Sequence, residues 1–290
     1  MRSPLPYFAL VFNALIWGLS WWPFRQFQAV GLHPLWTTVM LYTLSLLVIS
    51  LGAGRRVWAE FFAHPSLWLI MLAAGSTNTA FNWAVSMGDV VRVVLLFYLM
   101  PLWAVLLARL ILKEPLRPAA LARIALALGG AAAVLWPAEG GFPLPASAAD
   151  WLGVLGGLTF AFNNVMLRRE AARSPQSRAL AMFGGGVLVA GTAALLMSGA
   201  GLVPAPSLPG WIWALPAAAM AVLFFFSNLA LQYGASRLPA NVTAIVMLVE
   251  VPAAAISALW LGGGALNAQT ALGGAAILGA AVLAALERRR

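Results

Sequence analysis

The side chains with the greatest chemical potential in this sequence are polar and aromatic residues that lie inside long apolar stretches. Glu250 is the one acidic residue that we place within such a stretch, two positions before Pro252. A charge at the centre of a hydrocarbon layer costs on the order of 2.5–3.5 kcal/mol on insertion scales. The carboxyl group could bind an ammonium group or take up a proton. It could equally be protonated and bonded to a carbonyl that Pro252, which lacks an N–H, leaves free; the sequence leaves both open.

Amide, hydroxyl and aromatic side chains recur within the other apolar stretches, several of them at helical spacing. Asn13, Trp17 and Ser20 can share one helix face, as can Asn78 and Asn82. Polar groups in hydrocarbon must face other helices or a wet cavity, and rings with amide groups suit a flat amphiphilic ligand. The alternative is that the polar groups join helices and the rings fill volume. The predicted substrate-binding residues are Asn13, Trp17, Ser20, Asn78, Asn82, Trp83, Tyr98, Phe160, Asn163, Ser227, Asn228 and Glu250.

Two prolines, Pro101 and Pro252, fall inside apolar stretches and are predicted to interrupt helices. Broken helices beside a central cavity expose carbonyl groups and helix ends to a transported ligand. An ordinary kink is the competing interpretation, and the sequence does not decide between the two. We treat both prolines as candidate helix breaks or hinges.

The composition determines which elements must position these residues. Hydrophobic residues make up 62% of the 290 residues and charged residues only 9%, whereas a soluble domain carries roughly 25% charged residues. The apolar residues recur in runs of about 18–24, long enough to cross a hydrocarbon layer. The sequence therefore predicts an all-α polytopic membrane protein embedded in a lipid bilayer. The ten predicted transmembrane helices lie near 7–26, 34–53, 66–87, 91–111, 118–136, 150–168, 178–199, 210–233, 240–262 and 268–286.

Several other kinds of chemistry are disfavoured by the sequence. There is no cysteine, and the two histidines, His33 and His64, lie far apart, so disulfides and a histidine metal site are not expected. The net charge of +9 comes from short Arg clusters between apolar runs, which is typical of membrane-protein loops rather than of nucleic-acid binding. No nucleotide-binding P-loop is present. We expect no cofactor.

The basic residues predict the orientation in the membrane. If the N-terminus is cytoplasmic, every one of the 17 Lys and Arg residues except Arg25 and Arg92 falls in an inner segment. This agrees with the excess of positive charge found in cytoplasmic loops. The sequence thus predicts cytoplasmic N- and C-termini and an even number of spans.

The two halves of the chain resemble each other weakly. The segment 15–25 can be aligned with 158–168, and 82–88 with 228–234, after which Pro101 meets Pro252. A five-helix unit has an odd number of spans, so its second copy enters the membrane inverted, which is a transporter signature. We predict a first repeat at 1–137, a periplasmic linker at 138–149 and a second, inverted repeat at 150–290.

With this layout the chain resembles the drug/metabolite transporter superfamily in its ten-helix EamA-type form. The resemblance rests on Pro101, the segment Leu112-Lys113-Glu114-Pro115-Leu116 and the glycines of Leu128-Gly-Gly130. In the second half, Pro252, Gly262-Gly-Gly-Ala-Leu266 and Gly273-Gly274 occupy the matching places, but the Glu of the turn is missing. These motifs are structural, so they indicate a family rather than a substrate.

Within that superfamily, the chain is similar to bacterial exporters of aromatic amino acids, which are also linked to efflux of flat cations such as paraquat (methyl viologen). The resemblance implies a multi-pass protein of the bacterial inner membrane that exports small molecules by alternating access, and no enzyme activity. The alternatives are an integral-membrane enzyme acting on lipid or isoprenoid substrates, and a receptor or assembly subunit that transports nothing. The sequence leaves the direction, the energy coupling and the oligomeric state open, with a monomer as the working expectation.

Overall fold

The computed structural model describes residues 4–111, 113, 118–137, 142–206, 210–235, 237–238 and 246–286. All regular elements in this part of the chain are helical, with a 3₁₀ turn at Trp211–Trp213. The α-helices are α1 Leu5–Leu19, α2 Trp21–Ala29, α3 Pro34–Gly52, α4 Arg55–Ala63, α5 Pro65–Met87, α6 Val90–Phe97, α7 Met100–Ile111, α8 Pro118–Leu135, α9 Ala148–Arg169, α10 Pro175–Gly199, α11 Ala214–Ala235, α12 Glu250–Leu261 and α13 Ala268–Leu286.

The helices confirm the all-α polytopic membrane class. Six segments are long and apolar enough to cross a bilayer, and the bent pair of α4 and α5 adds a seventh. The helices α12 and α13 are shorter apolar helices. The total of ten spans remains a prediction, because the start of the span predicted at 240–262, most of the turn at 112–116 and part of the linker at 138–149 lie outside the described residues.

Helix α4 lies between the spans predicted at 34–53 and 66–87, where the sequence predicts a loop. Val57 and Phe61 are one helical turn apart and both are buried, while Arg55 and Arg56 are exposed. This amphipathic pattern is too short for a span but suits a helix at the membrane surface. The helix bends by 90° into α5, at the His64–Pro65 junction.

A carboxylate holds α4 against the start of α10. The hydroxyl groups of Ser174 and Ser177 donate hydrogen bonds of 2.6 and 2.7 Å to Glu60 Oε2, and the Ser177 hydroxyl also contacts the Val57 carbonyl at 3.2 Å. The hydrogen bonds from Ser174 and Ser177 lower the pKa of the Glu60 carboxyl group, since they favour its charged form.

The helices of the interior form two bundles. In one, which we call the α9 bundle, α9 packs against α5, α6 and α7; in the other, the α1 bundle, α1 and its continuation α2 pack with α11 and α12. The bundles meet where α2 lies on α5 and where α6 lies on α12. The helices α3 and α10 pack together, as do α8 and α13. Exchanging the first five predicted spans for the last five maps the contacts of α9 with α5, α6 and α7 onto those of α1 with α11 and α12, and maps the α3–α10 and α8–α13 pairs onto themselves. The α2–α5 contact has no counterpart of similar extent among the described residues.

Glycines permit the closest of these helix contacts. A Cβ atom built on Gly130 would lie 2.6 Å from the carbonyl oxygen of Gly273, and one built on Gly273 would lie 2.6 Å from the carbonyl oxygen of Gly130. Between α5 and α10, a Cβ atom built on Gly75 would collide with the carbonyl oxygen of Gly185, and one built on Gly185 would collide with that of Met71. Small residues of this kind let membrane helices approach closely and gain van der Waals contact.

The neighbouring glycines of α8 provide a matched test of this packing. We expect Gly130→Ala to lower stability by about 1–3 kcal/mol, because the added methyl group must push α13 away. Gly129→Ala should be neutral or slightly stabilising, since no atom lies within 4 Å of its Cβ position and Ala favours helix. Thermal unfolding in detergent measures both, and equal melting temperatures for the two variants would contradict the packing.

The Glu60 contact predicts a pH dependence. Because its folded-state pKa is lowered, the contribution to stability is fully present above the ordinary Glu pKa of about 4.3 and is lost as the pH falls through the lowered value. We expect the melting temperature of the double variant Ser174→Ala/Ser177→Ala to change less between about pH 6 and about pH 3 than that of the wild type. Ser198→Ala, at the opposite end of α10, serves as the control and should retain the wild-type dependence.

Candidate functional site

Two helices are broken where the bundles meet. Helix α6 ends at Phe97, a turn occupies Tyr98 and Leu99, and α7 resumes one residue before Pro101. A second turn at Leu248 and Val249 precedes α12, which carries Pro252 at its third position. Proline lacks the N–H that would continue the helical ladder. Because α6 packs on α12, the two breaks lie beside each other.

Tyr98 connects the two breaks. Its hydroxyl oxygen lies 3.0 Å from Glu250 Oε2 and 3.0 Å from the carbonyl oxygen of Met247. The single hydroxyl proton can serve one of these acceptors at a time. Glu250 and Tyr98 are 5% and 1% exposed, so this carboxyl group depends on Tyr98 for its hydrogen bond. The contact joins the α9 bundle to the α1 bundle at the buried acid.

A glycine from a neighbouring helix lies against each break. A Cβ atom on Gly18 of α1 would lie 2.7 Å from the carbonyl oxygen of Glu250, and one on Gly157 of α9 would collide with the carbonyl oxygen of Phe97. Each bundle therefore supports its broken helix from behind with a glycine. The carbonyl groups of Phe97 and Glu250 thus lie against the backbone of a neighbouring helix.

Aromatic rings extend this contact. Trp17 of the α1 bundle packs against Phe81 at a centroid distance of 6.0 Å, and Phe81 packs against Phe97 at 4.9 Å. Phe97 in turn packs against Phe160 at 5.4 Å, and Trp17 against Phe224 at 5.1 Å. We call these five residues the ring cluster. The rings contact each other directly, so a ligand would need the bundles to separate before it could bind among them.

Trp17 and Phe160 are among the residues predicted from the sequence, whereas Phe97 and Phe224 are not. A signal for each was present, since Phe97 directly precedes Tyr98 and the break, and Phe224 lies one helical turn before Asn228. Phe81 is adjacent to Asn82, which was selected. These three phenylalanines can be identified from the sequence by their short distance along the helix from a predicted polar residue.

The buried amides present acceptors rather than donors to the interior. Asn13 Nδ2 donates to the Ser227 carbonyl at 2.9 Å and to the Ser227 hydroxyl at 2.7 Å. Asn82 Nδ2 donates to Thr38 Oγ1 at 3.1 Å, while that hydroxyl itself donates to the Pro34 carbonyl. These bonds fix the amide orientation. The Oδ1 atoms of Asn13 and Asn82 are buried without a partner among the described residues, as is that of Asn163.

Other predicted site residues are satisfied within their own helices. Asn78 donates to the Ala74 carbonyl at 2.7 Å and Asn228 to the Phe224 carbonyl at 2.9 Å. The Ser20 hydroxyl bonds the Trp17 carbonyl at 2.8 Å, at the junction of α1 and α2. These residues lie on or next to the helices that carry the ring cluster, but their N–H and O–H groups donate to backbone carbonyls three or four residues earlier in the chain.

Trp83 lies apart from the ring cluster. Its ring packs against His33 at 5.4 Å, near the end of α5 that leads to Gly88, and it belongs to a separate hydrophobic cluster with Leu35. Its Nε1 atom is buried without a partner among the described residues.

A small cavity of about 10 Å³ lies beside Tyr98, Pro101 and Arg123.

The described residues contain no group of three or more His, Asp or Glu side chains that could hold a metal ion. Within the described part of the chain, the side-chain hydrogen-bond partner of Glu250 is Tyr98. A buried carboxyl group between helices is chemically able to accept a hydrogen bond from a donor group or to take up a proton.

Comparison with known proteins finds similarity to a transporter family over part of the chain. Residues 4–136 match the model of the EamA-like transporter family. An uncharacterized transporter of Pseudomonas aeruginosa is 32% identical over 118 residues, which is 39% of this chain and 37% of that relative. A protein of known crystal structure aligns over 96% of both chains with a TM-score of 0.59 and 19% identity, which shows a shared fold.

The Tyr98 contact generates a stability prediction. We expect Tyr98→Phe to lower stability by about 1–3 kcal/mol, because it leaves a buried acceptor without its hydrogen bond. Tyr7→Phe, at the exposed start of α1, is the matched control and should have little effect. Thermal unfolding in detergent compares the two variants, and an unchanged melting temperature for Tyr98→Phe would mean that this bond does not hold the bundles together.

Proposed function

We propose that this chain, whose residues 4–136 belong to the EamA-like transporter family, moves small molecules across a bacterial inner membrane by alternating access between the α1 and α9 bundles. The observation that carries the proposal is Glu250, a buried acid at a helix break in the interface between the bundles. An intramembrane acid at such a place is expected to bind a ligand or a proton.

We infer in addition that residues 1–137 and 150–290 are inverted repeats. The proposal is supported by the contacts of α9 with α5, α6 and α7, which correspond to those of α1 with α11 and α12 when the halves are exchanged. It is also supported by the reciprocal approach of Gly130 and Gly273 and by the paired breaks near Pro101 and Pro252. Two inverted halves give one midplane site that can face either side of the membrane.

The substrates that we propose are aromatic amino acids and related flat cations. The rings of Trp17, Phe81 and Phe97 provide surfaces for stacking and for cation–π contact. The amide oxygens of Asn13 and Asn82, which have no partner among the described residues, are available to accept hydrogen bonds from a ligand. Glu250 would provide a counter-charge for an ammonium group. The unused acceptors favour amino acids, which carry N–H donors. A flat cation without N–H groups would be held by the rings and by Glu250.

Export is the direction that we propose, following the resemblance to amino-acid exporters. Either a substrate gradient or exchange with protons can drive it, since a site with alternating access operates in both directions. Glu250 is the group on which substrate and proton would compete.

A flux experiment tests the function. The purified chain in liposomes is expected to transport labelled Trp, Phe, Tyr or methyl viologen, and a comparison with and without a pH gradient determines whether protons are coupled. Glu250→Gln should reduce flux by roughly tenfold or more, because the counter-charge is lost. Glu170→Gln, an acid of the loop after α9, should transport as the wild type does. Wild-type flux and unchanged pH dependence in Glu250→Gln would refute the role of Glu250.

The amino group of the substrate provides a second test. We expect tryptamine to compete with tryptophan for transport. Indole-3-propionate, which lacks the amine and keeps only the indole N–H as a donor, should compete roughly tenfold less well, since it has no ammonium group for Glu250 and leaves an acceptor unpaired. Inhibition of labelled tryptophan flux measures both. Equal inhibition by the two compounds would show that the amine is not recognised.

A further inference from the structure

The two basic residues that break the charge pattern of the inner loops both lie at the predicted outer end of the molecule. The Arg25 guanidinium group donates hydrogen bonds to three backbone carbonyls, those of Val85 at 3.2 Å, of Gly88, and of Gly263 at 3.4 Å. Its guanidinium also lies 5.0 Å from the Trp21 ring centroid. Val85 and Gly88 belong to the α9 bundle side, so Arg25 ties the α1 bundle across to it.

Asp89 makes a second tie at the same end. Its Oδ1 accepts from the Arg92 N–H at 2.9 Å and caps α6, while its Oδ2 accepts from the Ala265 N–H at 2.7 Å. The neighbouring Val90 N–H donates to the Gly263 carbonyl at 3.1 Å. The turn between α12 and α13 is thereby bonded to the turn between α5 and α6. Any side chain at position 264 would meet the Asp89 carboxylate.

Polar contacts elsewhere in the interior mostly join helices of the same bundle. Within the α1 bundle, Trp21 Nε1 donates to the Ser257 hydroxyl at 3.0 Å, and Asn13 bonds Ser227. Within the α9 bundle, Thr77 bonds Thr159 at 3.0 Å, and Arg92 forms a two-point ion pair with Asp150 at 2.8 and 3.0 Å. These contacts make each bundle a unit, whereas those of Arg25 and Asp89 connect the units.

We propose that Arg25, Asp89 and the turn 262–265 form an outer latch, which closes the two bundles on the predicted periplasmic side and must open for a substrate to pass. The proposal rests on the proposed function. The latch acceptors are backbone carbonyls and one carboxylate at the end of the bundles, so water can replace each bond when the bundles separate. The ring cluster, which is packed in this structure, gains room by the same separation.

A disulfide across the latch tests the proposal. Because the sequence contains no cysteine, the two introduced cysteines can pair only with each other within the chain. A Cβ atom on Gly264 would lie 3.0 Å from Asp89 Cγ, near the place of a cysteine sulfur, so the pair Asp89→Cys/Gly264→Cys fits a disulfide. The control pair is Leu96→Cys/Gly153→Cys, whose Cβ atoms would be 3.4 Å apart within the α9 bundle.

Flux of labelled tryptophan or methyl viologen is measured before and after oxidation. We expect oxidation of the latch pair to reduce flux by roughly tenfold or more and dithiothreitol to restore it, because gate motion is then blocked and released. The control pair should keep its flux when oxidised. Equal flux in the oxidised and reduced latch pair would overturn the latch, as would an equal loss in both pairs. A wild-type chain that moves neither probe would instead contradict the proposed function.

A labelling experiment tests the latch without a substrate. Phe81→Cys places one thiol in the ring cluster between the bundles, and a membrane-impermeant maleimide is added from the outer side. Adding Arg25→Gln should speed labelling by roughly fivefold or more, since a weakened latch raises the open population. Adding Arg92→Gln/Asp150→Asn, which breaks a tie within one bundle, should leave the rate unchanged. Equal rates for the two variants would overturn the latch.

Discussion

The structure depends on one constraint, which is that hydrocarbon offers no partner for a hydrogen bond. Every polar group on these helices must therefore be satisfied by another part of the protein or face a wet site. Asn13 with Ser227 and Thr77 with Thr159 meet this constraint by joining helices of the same bundle. Glu250 meets it through Tyr98, across the interface of the two bundles. The polar contacts consequently separate the interior into two units with one interface, and that interface also contains the ring cluster and both helix breaks.

This division explains why acid, rings and breaks occur together. A proline break costs helical hydrogen bonds, and a buried acid costs free energy as well, so both are tolerated where close packing and a neighbouring hydroxyl compensate. Gly18 and Gly157 bring helix backbone against the two breaks. A bundle interface with unused amide oxygens and mutually packed rings can open for a ligand without disrupting either bundle. The same interface is tied at its outer end by Arg25 and Asp89, whose partners include backbone groups.

The sequence predicted the class of fold well because apolar runs and prolines are local signals. The spans, the breaks near Pro101 and Pro252 and the buried polar residues all follow from such runs. Helix α4 was missed because nine amphipathic residues give too weak a pattern. The partners of the site residues could not be predicted, since they depend on helix rotation and on contacts between distant segments, such as Tyr98 with Glu250. The free oxygen of Asn82 is visible only once Thr38 and its own acceptor are placed.

The central claim is that two rigid bundles move against each other about the interface that contains Glu250. Spin labels on cysteines at exposed outer positions measure this motion directly, because the chain has no native cysteine. One pair joins Met87 of the α9 bundle to Leu261 of the α1 bundle, and a second joins Met87 to Trp151 within the α9 bundle. The account predicts that a transported substrate changes the Met87–Leu261 distance distribution and leaves the Met87–Trp151 distribution unchanged. Identical distributions for both pairs with and without substrate, or equal changes in both, would contradict it.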